Sequence, residues 1–153
     1  MATPRDVRRF ALQLMYQLDA AGEQPGSDRE SELLAVAEPP EGFEAKDRKR
    51  AEQLATDAFA ARSEADAEFL TLAPEWPASR QAAVDRAILR LAHHEMVSGK
   101  TEPKIVVNEA VELAKVFSTE KSPAFVNGLL DRVLKRVLAE RGDAGAPTRA
   151  AVD

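Results

Sequence analysis

The sequence predicts an all-α protein with about six or seven helices. Throughout the 153 residues, apolar side chains recur at steps of three and four, which is the period of an amphipathic helix. No run of alternating β-branched residues is long enough to form a strand. Glycine and proline interrupt the helical pattern and divide it into segments of ordinary helix length.

The composition predicts a globular protein without a membrane span. Hydrophobic residues make up 44% of the chain and aromatic residues only 5%, so alanine, leucine and valine must supply most of the core. The chain contains no cysteine, which excludes disulfides, thiolate catalysis and cysteine-ligated zinc. No apolar run approaches the roughly 18 residues of a membrane helix, and no signal peptide is recognisable. We therefore expect a soluble, cytoplasmic protein.

The first helix is predicted to begin close to the N-terminus and to end near Gly22. Thr3 is placed to cap it, and Pro4 suits the first helical position because proline lacks the N–H group that would be unpaired there. Residues 22–45 are rich in glycine, proline and acids, and they predict a loop with one short helix across Glu30–Ala37. The apolar stripe of the first helix consists of Val7, Phe10, Ala11, Leu14, Met15 and Leu18.

Two prolines around the single tryptophan mark the best candidate boundary within the chain. Before them, the spacing predicts one long helix from about Ala45 to Ala73. Pro74 and Pro77 then end it. The next helix is predicted from about Ala78 to Val97, with Gly99 as its stop. Its core face consists of Val84, Ala87, Ile88, Leu91, Ala92 and Met96.

Two further helices are predicted in the C-terminal part. The first covers Pro103–Phe117. The second starts with Ser122 as its cap and Pro123 as its first helical residue, and it ends near Arg141. Residues 142–153 are expected to form a flexible tail. The core stripe of the first of these helices consists of Val106, Ala110, Leu113, Ala114 and Phe117.

Asn127 and Gly128 lie inside the apolar pattern of the last helix, although Asn-Gly is a strong turn signal. A glycine in a helix interior destabilises the helix by roughly 1 kcal/mol relative to alanine. We expect this cost to be offset by packing, because the absence of a side chain at Gly128 lets another helix approach closely. Asn108, early in the preceding helix, is also a polar residue in apolar company. Both asparagines are predicted to bond backbone groups where two helix N-termini meet, so the three residues form a predicted structural junction.

The first helix has a polar face opposite its apolar stripe. Arg5, Arg9, Gln13 and Tyr16 fall within about 80° of one another on the helix, and Arg8 lies at the edge of this face. Three arginines near a helix N-terminus oppose the helix dipole, so the pattern has a small local energetic cost. Two interpretations remain open. The face either binds nucleic acid, through phosphate contacts and tyrosine stacking, or is simply solvated.

No pattern in the sequence indicates catalysis or a metal site. His93 and His94 diverge by about 100° on a helix and cannot chelate one ion, so we expect them at the surface or at a cap. The glycine-rich phosphate-binding motifs and the serine motif of hydrolases are absent. Most acids lie between Asp19 and Glu75, without apolar seclusion that would tune them. We predict that the protein is not an enzyme and holds no metal or cofactor.

Three segments resemble the core motifs of the NusB family of bacterial transcription antitermination factors. They are VDRAILRLAHHEM (Val84–Met96), PKIVVNEAVELAKVF (Pro103–Phe117) and SPAFVNGLLD (Ser122–Asp131). ALQLMY (Ala11–Tyr16), preceded by arginines, is similar to the first helix of the family. The segments occur in the family order with family-like spacing, and together they span nearly the whole chain.

The resemblance implies an all-helical, NusB-like domain over residues 1–141, built from two small packed helical bundles that are divided near residues 74–77. It also implies a function in transcription antitermination. The family binds boxA RNA, which is single-stranded, together with NusE, a ribosomal protein of the small subunit. The complex acts on RNA polymerase and supports transcription of rRNA operons.

The resemblance further assigns site residues. Phe125 is placed to stack on an unpaired base, and Lys104 and Lys121 lie at or just before helix starts, where backbone N–H groups favour anions. Tyr16 and Asp85 match positions that the family turns toward its protein partner. The full expected RNA-binding set is Arg5, Arg8, Arg9, Gln13, Lys104, Lys121 and Phe125.

Several alternatives stay open. Instead of stacking on a base, Phe125 is a core residue in the first alternative. In the second, Asp85 is a solvated acid that contacts no partner. In the third, RNA and not another helix approaches Gly128. NusB-like domains also occur in rRNA cytosine methyltransferases, but those enzymes need a methyl-donor domain and catalytic cysteines, which this sequence lacks. In a third alternative, the protein is an interaction module or homodimer with weak or lost RNA binding. The salt dependence of the binding affinity separates this alternative from RNA binding, because phosphate contacts weaken steeply with salt.

Overall fold

The structure, a computed structural model, describes residues 2–22 and 28–142. These residues form seven α-helices, one 3₁₀ turn and no strand, which confirms the predicted all-α fold. None of the helices in this part of the chain is long and apolar enough to span a bilayer. Apart from residue 142, the predicted tail lies outside the described residues. The elements are α1 (Pro4–Ala21), α2 (Asp28–Val36), α3 (Ala45–Ala60), α4 (Arg62–Leu72), the 3₁₀ turn (Ala78–Arg80), α5 (Ala83–Ser98), α6 (Pro103–Phe117) and α7 (Ser122–Glu140).

Helix α1 begins and ends where the sequence predicts. Thr3 Oγ1 accepts a hydrogen bond from the Asp6 N–H at 3.1 Å, and Asp6 Oδ2 accepts one from the Thr3 N–H at 2.9 Å. These reciprocal bonds form a capping box that satisfies two backbone donors. At the other end, Gly22 adopts the left-handed conformation (φ 68°), which a residue without Cβ tolerates. The short helix expected within the following loop is also present, as α2.

The long helix predicted from Ala45 to Ala73 is in fact two helices, α3 and α4, which are separated at Ala61. Ala61 has φ −90° and ψ 7°, outside the helical region. The Arg62 guanidinium donates to the Phe59 carbonyl oxygen at 2.8 Å and lies 4.0 Å from the centroid of the Phe59 ring, so it supports the break. The prediction is wrong because the apolar spacing runs through the break without a glycine or proline.

Helix α5 begins at Ala83, later than its predicted start at Ala78. The connector between α4 and α5 is a hydrogen-bonded turn instead. Arg86 Nη1 donates to the carbonyl oxygens of Ala78 (2.9 Å) and Gln81 (3.2 Å). Gln81 Nε2 donates to the carbonyl oxygen of Trp76 at 3.1 Å. These side chains satisfy carbonyl groups that a longer helix would have paired, so the connector has a defined shape.

Helix α7 begins at Ser122, but Ser122 is not its N-cap as predicted. The preceding residue, Lys121, already has helical dihedral angles (φ −87°, ψ −16°). The buried Ser122 hydroxyl donates to Asp85 Oδ2 at 3.0 Å, so it joins the start of α7 to α5. Pro123 lies in the first turn, and α7 ends beside Arg141, both as predicted.

The predicted junction of Asn108, Asn127 and Gly128 does not form, because all three residues are exposed. A Cβ atom built on Gly128 meets no other atom within 4 Å. Helices α6 and α7 pack against each other through their buried apolar residues, and the three positions lie outside that contact. Close helix packing therefore does not explain the glycine.

Helix α5 is the centre of the structure. It contacts α1, α3, α4, α6 and α7, while α1 packs against α3, and α6 against α7. One apolar cluster extends from Phe10 and Met15 of α1, through Ile88 and Leu91 of α5, to Leu130 of α7. Removal of these side chains from water is the main favourable contribution to folding.

Polar residues on α5 are buried together with its apolar ones, and buried polar groups need partners. The Arg90 guanidinium donates to Asp66 of α4 at 2.7 Å and 2.9 Å and to Asp19 of α1 at 3.2 Å. Arg86 also donates to Asp19, at 2.6 Å and 2.9 Å. Burial raises the pKa of Asp19, but the two arginines outweigh it, so the pKa lies below its ordinary value.

The predicted surface or capping position of His93 is wrong, because this side chain is buried against α4. His93 Nε2 lies 2.8 Å from Glu68 Oε1, and Arg136 Nε of α7 donates to Glu68 Oε2 at 2.6 Å. Burial raises the pKa of Glu68, but the hydrogen bonds from Arg136 and His93 outweigh it, so the pKa lies below its ordinary value of 4.5. Glu68 therefore holds α4 to both α5 and α7 as a carboxylate.

We expect the Glu68 ion pairs to make stability fall in acid. Because the folded pKa of Glu68 is depressed, its contribution is fully present above the unfolded pKa and is lost as the pH falls through the folded pKa. Urea unfolding from about pH 7 to about pH 3 measures this loss. The Glu68→Gln variant should be less stable near neutral pH and should lose less stability on acidification. Glu64→Gln, an exposed control on the same helix, should keep the full loss. Equal pH dependence in Glu68→Gln and the unmodified protein would contradict this expectation.

Candidate nucleic-acid interface

The outward side of α1 carries a row of four exposed residues, hereafter the α1 row: Arg5, Arg9, Gln13 and Tyr16. Successive members are three or four positions apart, so they lie one above another along the helix. The period that buries the apolar stripe of α1 thus also creates this polar face. Arg9 forms no ion pair with any described side chain. Its guanidinium is available to an anion from solution.

Arg5 is already paired with a carboxylate of α6. Its Nε and Nη2 atoms donate to Oε1 and Oε2 of Glu109 at 3.0 Å and 2.8 Å. The Arg5 side chain remains 51% exposed. The hydrogen bond from Arg5 lowers the pKa of Glu109, and the same bond raises the pKa of Arg5. An anion that approaches Arg5 must therefore compete with Glu109.

Arg8 is buried, which contradicts its expected position at the edge of the exposed face. Its Nε donates to Glu95 Oε1 at 3.1 Å and Oε2 at 3.0 Å, and its Nη2 to Oε1 at 2.9 Å. The two side chains are only 11% and 9% exposed. The buried Glu95 carboxylate of α5 needs hydrogen-bonding partners, and α1 supplies a guanidinium from the side that faces α5. Arg8 therefore connects α1 to α5.

An apolar groove, hereafter the Tyr16 groove, runs beside the α1 row. It is lined by Arg9, Gln13 and Tyr16 of α1, Val84 of α5 and Phe117 of α6. Tyr16 and Phe117 are each almost half exposed. The predicted core position of Phe117 is wrong, because this residue ends α6 and no described element covers its outer side. Exposed apolar surface next to a polar row is typical of a protein-binding site.

A second groove, hereafter the Phe125 groove, lies at the start of α7 and has a volume of about 430 Å³. Its walls include Lys121 and Phe125, together with Asp85 and, from the connector before α5, Trp76 and Arg80. Phe125 is half buried and packs against the apolar core, so it serves both as a core residue and as a wall of the groove. The structure thus brings the two predicted residues Lys121 and Phe125 together.

Asp85 is buried, so the alternative that it is a solvated acid is wrong. Its Oδ1 accepts a hydrogen bond from Ser118 Oγ at 2.5 Å, and its Oδ2 accepts one from Ser122 Oγ at 3.0 Å. The Thr119 N–H donates to Ser122 Oγ at 3.3 Å. The carboxylate therefore fixes the segment that joins α6 to α7, and this segment presents Lys121.

The two grooves adjoin at the N-terminal turn of α5, where Val84 lines one and Asp85 lines the other. Lys104 is exposed in the first turn of α6 but lines neither of them. The residues that line the two grooves are thus neighbours in the chain at this turn.

Sequence reasoning missed three residues beside these sites. Glu109 pairs with Arg5 across 104 positions, and no local pattern reports such a contact. Trp76 is recognised from sequence only as a residue between two helix-breaking prolines, and Arg80 is not singled out at all. The available signal was a tryptophan, a rarely exposed residue type, in a predicted turn with an arginine close by.

Comparison with known proteins identifies the family. Residues 5–135 match the model of the NusB family. The transcription antitermination protein NusB of Symbiobacterium thermophilum is 40% identical over 146 residues, which cover 93% of this chain and 94% of that protein.

Two solved structures have the same arrangement of helices. The NusB protein of T. maritima is 30% identical, with a TM-score of 0.74 over 88% of this chain and 93% of that one. A chain from a crystal structure of the antitermination factors NusB and NusE in complex with dsRNA is 27% identical, with a TM-score of 0.70 over 86% and 96% of the respective chains. Because the family model matches most of the chain and a relative is 40% identical over nearly its whole length, the protein belongs to the NusB family.

Proposed function

We propose that the protein is a transcription antitermination factor that binds boxA-type single-stranded RNA together with NusE. The observation that carries the proposal is the continuous surface formed by the α1 row and the two adjoining grooves, in a chain of the NusB family. The solved complex of a similar NusB with NusE and dsRNA supports both partners. Action on nascent transcripts within an RNA polymerase antitermination complex places the protein in the bacterial cytoplasm. The function consists of binding and requires no catalytic residue.

The RNA backbone is bound by cations that stand free at the surface. Arg9 and Lys121 form no ion pair with described residues, and Lys104 stands exposed at the start of α6. Arg5 joins them when phosphate displaces Glu109. Arg8 takes no part, because Glu95 already accepts its hydrogen bonds.

Aromatic and polar side chains contact the RNA bases. Phe125 presents one side to its groove, where an unpaired base stacks on the ring, and Gln13 offers an amide within the α1 row. Gly128 lies one turn after Phe125 with open space around it. The missing side chain leaves room for an RNA backbone, which is the remaining reason for a glycine at this position.

NusE occupies the Tyr16 groove in this proposal. The groove is mainly apolar, and Tyr16 and Phe117 provide the large exposed side chains that anchor protein interfaces. Because this groove adjoins the Phe125 groove, a protein bound in one borders RNA bound in the other. This geometry gives a physical reason for joint binding, since each ligand shields the other's contacts from water.

A second candidate function is a homodimer or interaction module without RNA binding. The exposed Tyr16, Val116 and Phe117 favour it, because a second copy of the chain would also cover them. Binding through these residues should change little with salt, whereas RNA binding should weaken steeply.

We expect Arg9→Ala and Lys121→Ala each to weaken RNA binding. Each removes one phosphate contact, so the affinity should fall by roughly threefold to tenfold and the slope of log K against log salt should decrease in magnitude by about 0.7. Fluorescence anisotropy of labelled boxA-type RNA at two salt concentrations, with NusE present, measures both quantities. Lys135→Ala, an exposed lysine far along α7, is the matched control and should change neither. Equal losses in all three variants would contradict the proposed RNA face.

We expect Glu109→Gln to strengthen RNA binding. The glutamine keeps the shape of the side chain but removes the charge that competes for Arg5, so affinity at low salt should rise by up to about fivefold. The same titration measures the change, and the salt dependence should become steeper. Arg5→Ala/Glu109→Gln should lose the gain. An unchanged affinity in a folded Glu109→Gln protein would show that Arg5 does not contact RNA.

A further inference from the structure

The only tryptophan of the chain, Trp76, projects from a turn with a fixed shape. It lies between Pro74 and Pro77, and the residue is 49% exposed. The backbone of the turn is held by the bond from Gln81 Nε2 to the Trp76 carbonyl oxygen and by the Arg80 N–H, which donates to the Pro77 carbonyl oxygen at 2.8 Å. A large apolar ring that is fixed in position yet left half in water is costly to solvate, and it gains from a ligand that covers it.

Arg80 stands beside this ring. Its guanidinium carbon lies 5.7 Å from the centroid of the Trp76 ring, within cation–π range. The only hydrogen bond of its side chain to a described residue is a long one, from Nη1 to the Glu75 carbonyl oxygen at 3.4 Å. Most of its donors are therefore free for a ligand that approaches the ring.

The charges in the Phe125 groove favour an anionic occupant. Arg80 and Lys121 form no ion pair with any described residue. The one acid that lines the groove, Asp85, directs its oxygens to the hydroxyls of Ser118 and Ser122. The free charges of the groove are thus positive, and two aromatic rings, Trp76 and Phe125, line the same groove. This combination fits a single-stranded nucleic acid, whose phosphates meet the cations and whose bases stack on the rings.

We propose that Trp76 and Arg80 form a second base-stacking platform, which extends the RNA path from Phe125 to the connector between α4 and α5. The inference rests on the proposed function and adds one binding position to it. Trp76 covers one face of an unpaired base, and Arg80 contacts the neighbouring phosphate. The occupant is single-stranded RNA, because a base within a duplex has no free face to offer.

The single tryptophan makes a direct test feasible in the full-length protein. Intrinsic fluorescence is titrated with a boxA-type single-stranded RNA in the presence of a tryptophan-free NusE variant, while anisotropy of a dye on the RNA reports binding independently. We expect the RNA to quench Trp76 with the same midpoint that anisotropy gives. A duplex of the same sequence should leave the fluorescence unchanged.

Trp76→Ala should weaken RNA binding by about fivefold to a hundredfold, whereas Trp76→Phe should keep most of the affinity. Arg80→Gln should reduce the salt dependence.

Leu70→Ala is the control for loss of an exposed apolar side chain and should bind RNA normally. The platform is disproved if RNA binds by anisotropy while the fluorescence and the affinity of Trp76→Ala stay unchanged; the proposed function then stands. Quenching by the duplex, or a full fluorescence change with NusE alone, would also overturn it. Absence of RNA binding by anisotropy would reject both the platform and the proposed RNA function.

Discussion

The burial of α5 between five other helices constrains how each of those helices packs. With α1, α3, α4, α6 and α7 around it, this helix buries many of its polar side chains together with its apolar ones. Asp85, Arg90, His93 and Glu95 must therefore find partners inside the protein, because an unpaired buried charge costs several kcal/mol. Helix α1 supplies partners to Arg90 and Glu95, and α4 supplies partners to Arg90 and His93. The segment after α6 supplies the partner of Asp85. These pairs set the rotation of the outer helices around α5.

The surface that we propose to bind RNA and NusE follows from this rotation. On α1, the ion pair with Glu95 turns Arg8 inward, and the helical period then turns Arg5, Arg9, Gln13 and Tyr16 outward. At the other end of α5, the hydroxyl bonds to Asp85 shape the segment that presents Lys121 and Phe125. The two grooves meet at the first turn of α5, so one element positions both the proposed protein site and the proposed RNA site. The acids of the central network are all engaged inside the protein, Asp85 by serine hydroxyls and Glu95 by the Arg8 guanidinium, which leaves the neighbouring surface free to attract an anion.

Much of the fold was predictable, because its signals are local. The capping residue Thr3, the stop at Gly22 and the apolar spacing of α1, α6 and α7 act within a few residues. The family resemblance rests on local motifs in α1, α5, α6 and α7. The wrong predictions concern features that no local sequence signal marks. The break at Ala61 leaves the apolar period intact, and the pairs Arg8–Glu95 and Arg5–Glu109 join residues far apart in the chain. Of the predicted site, the outward face of α1 was recognisable from its period. The burial of Arg8 and Asp85 was not recognisable, because it depends on contacts between α5 and residues far away in the sequence.

The most direct test of this constraint is the free energy of unfolding of Arg8→Ala compared with Arg9→Ala, with RNA affinity measured on the same proteins. If Arg8 serves the buried pair with Glu95, its loss should destabilise the protein by about 3–5 kcal/mol, whereas Arg9→Ala should change stability by less than about 0.5 kcal/mol. Arg8→Met/Glu95→Leu, which removes both charges, should recover most of the stability and bind RNA like the unmodified protein. A stable Arg8→Ala protein with weakened RNA binding would contradict this account, because it would place Arg8 in the RNA interface and leave the buried carboxylate of α5 without need of it.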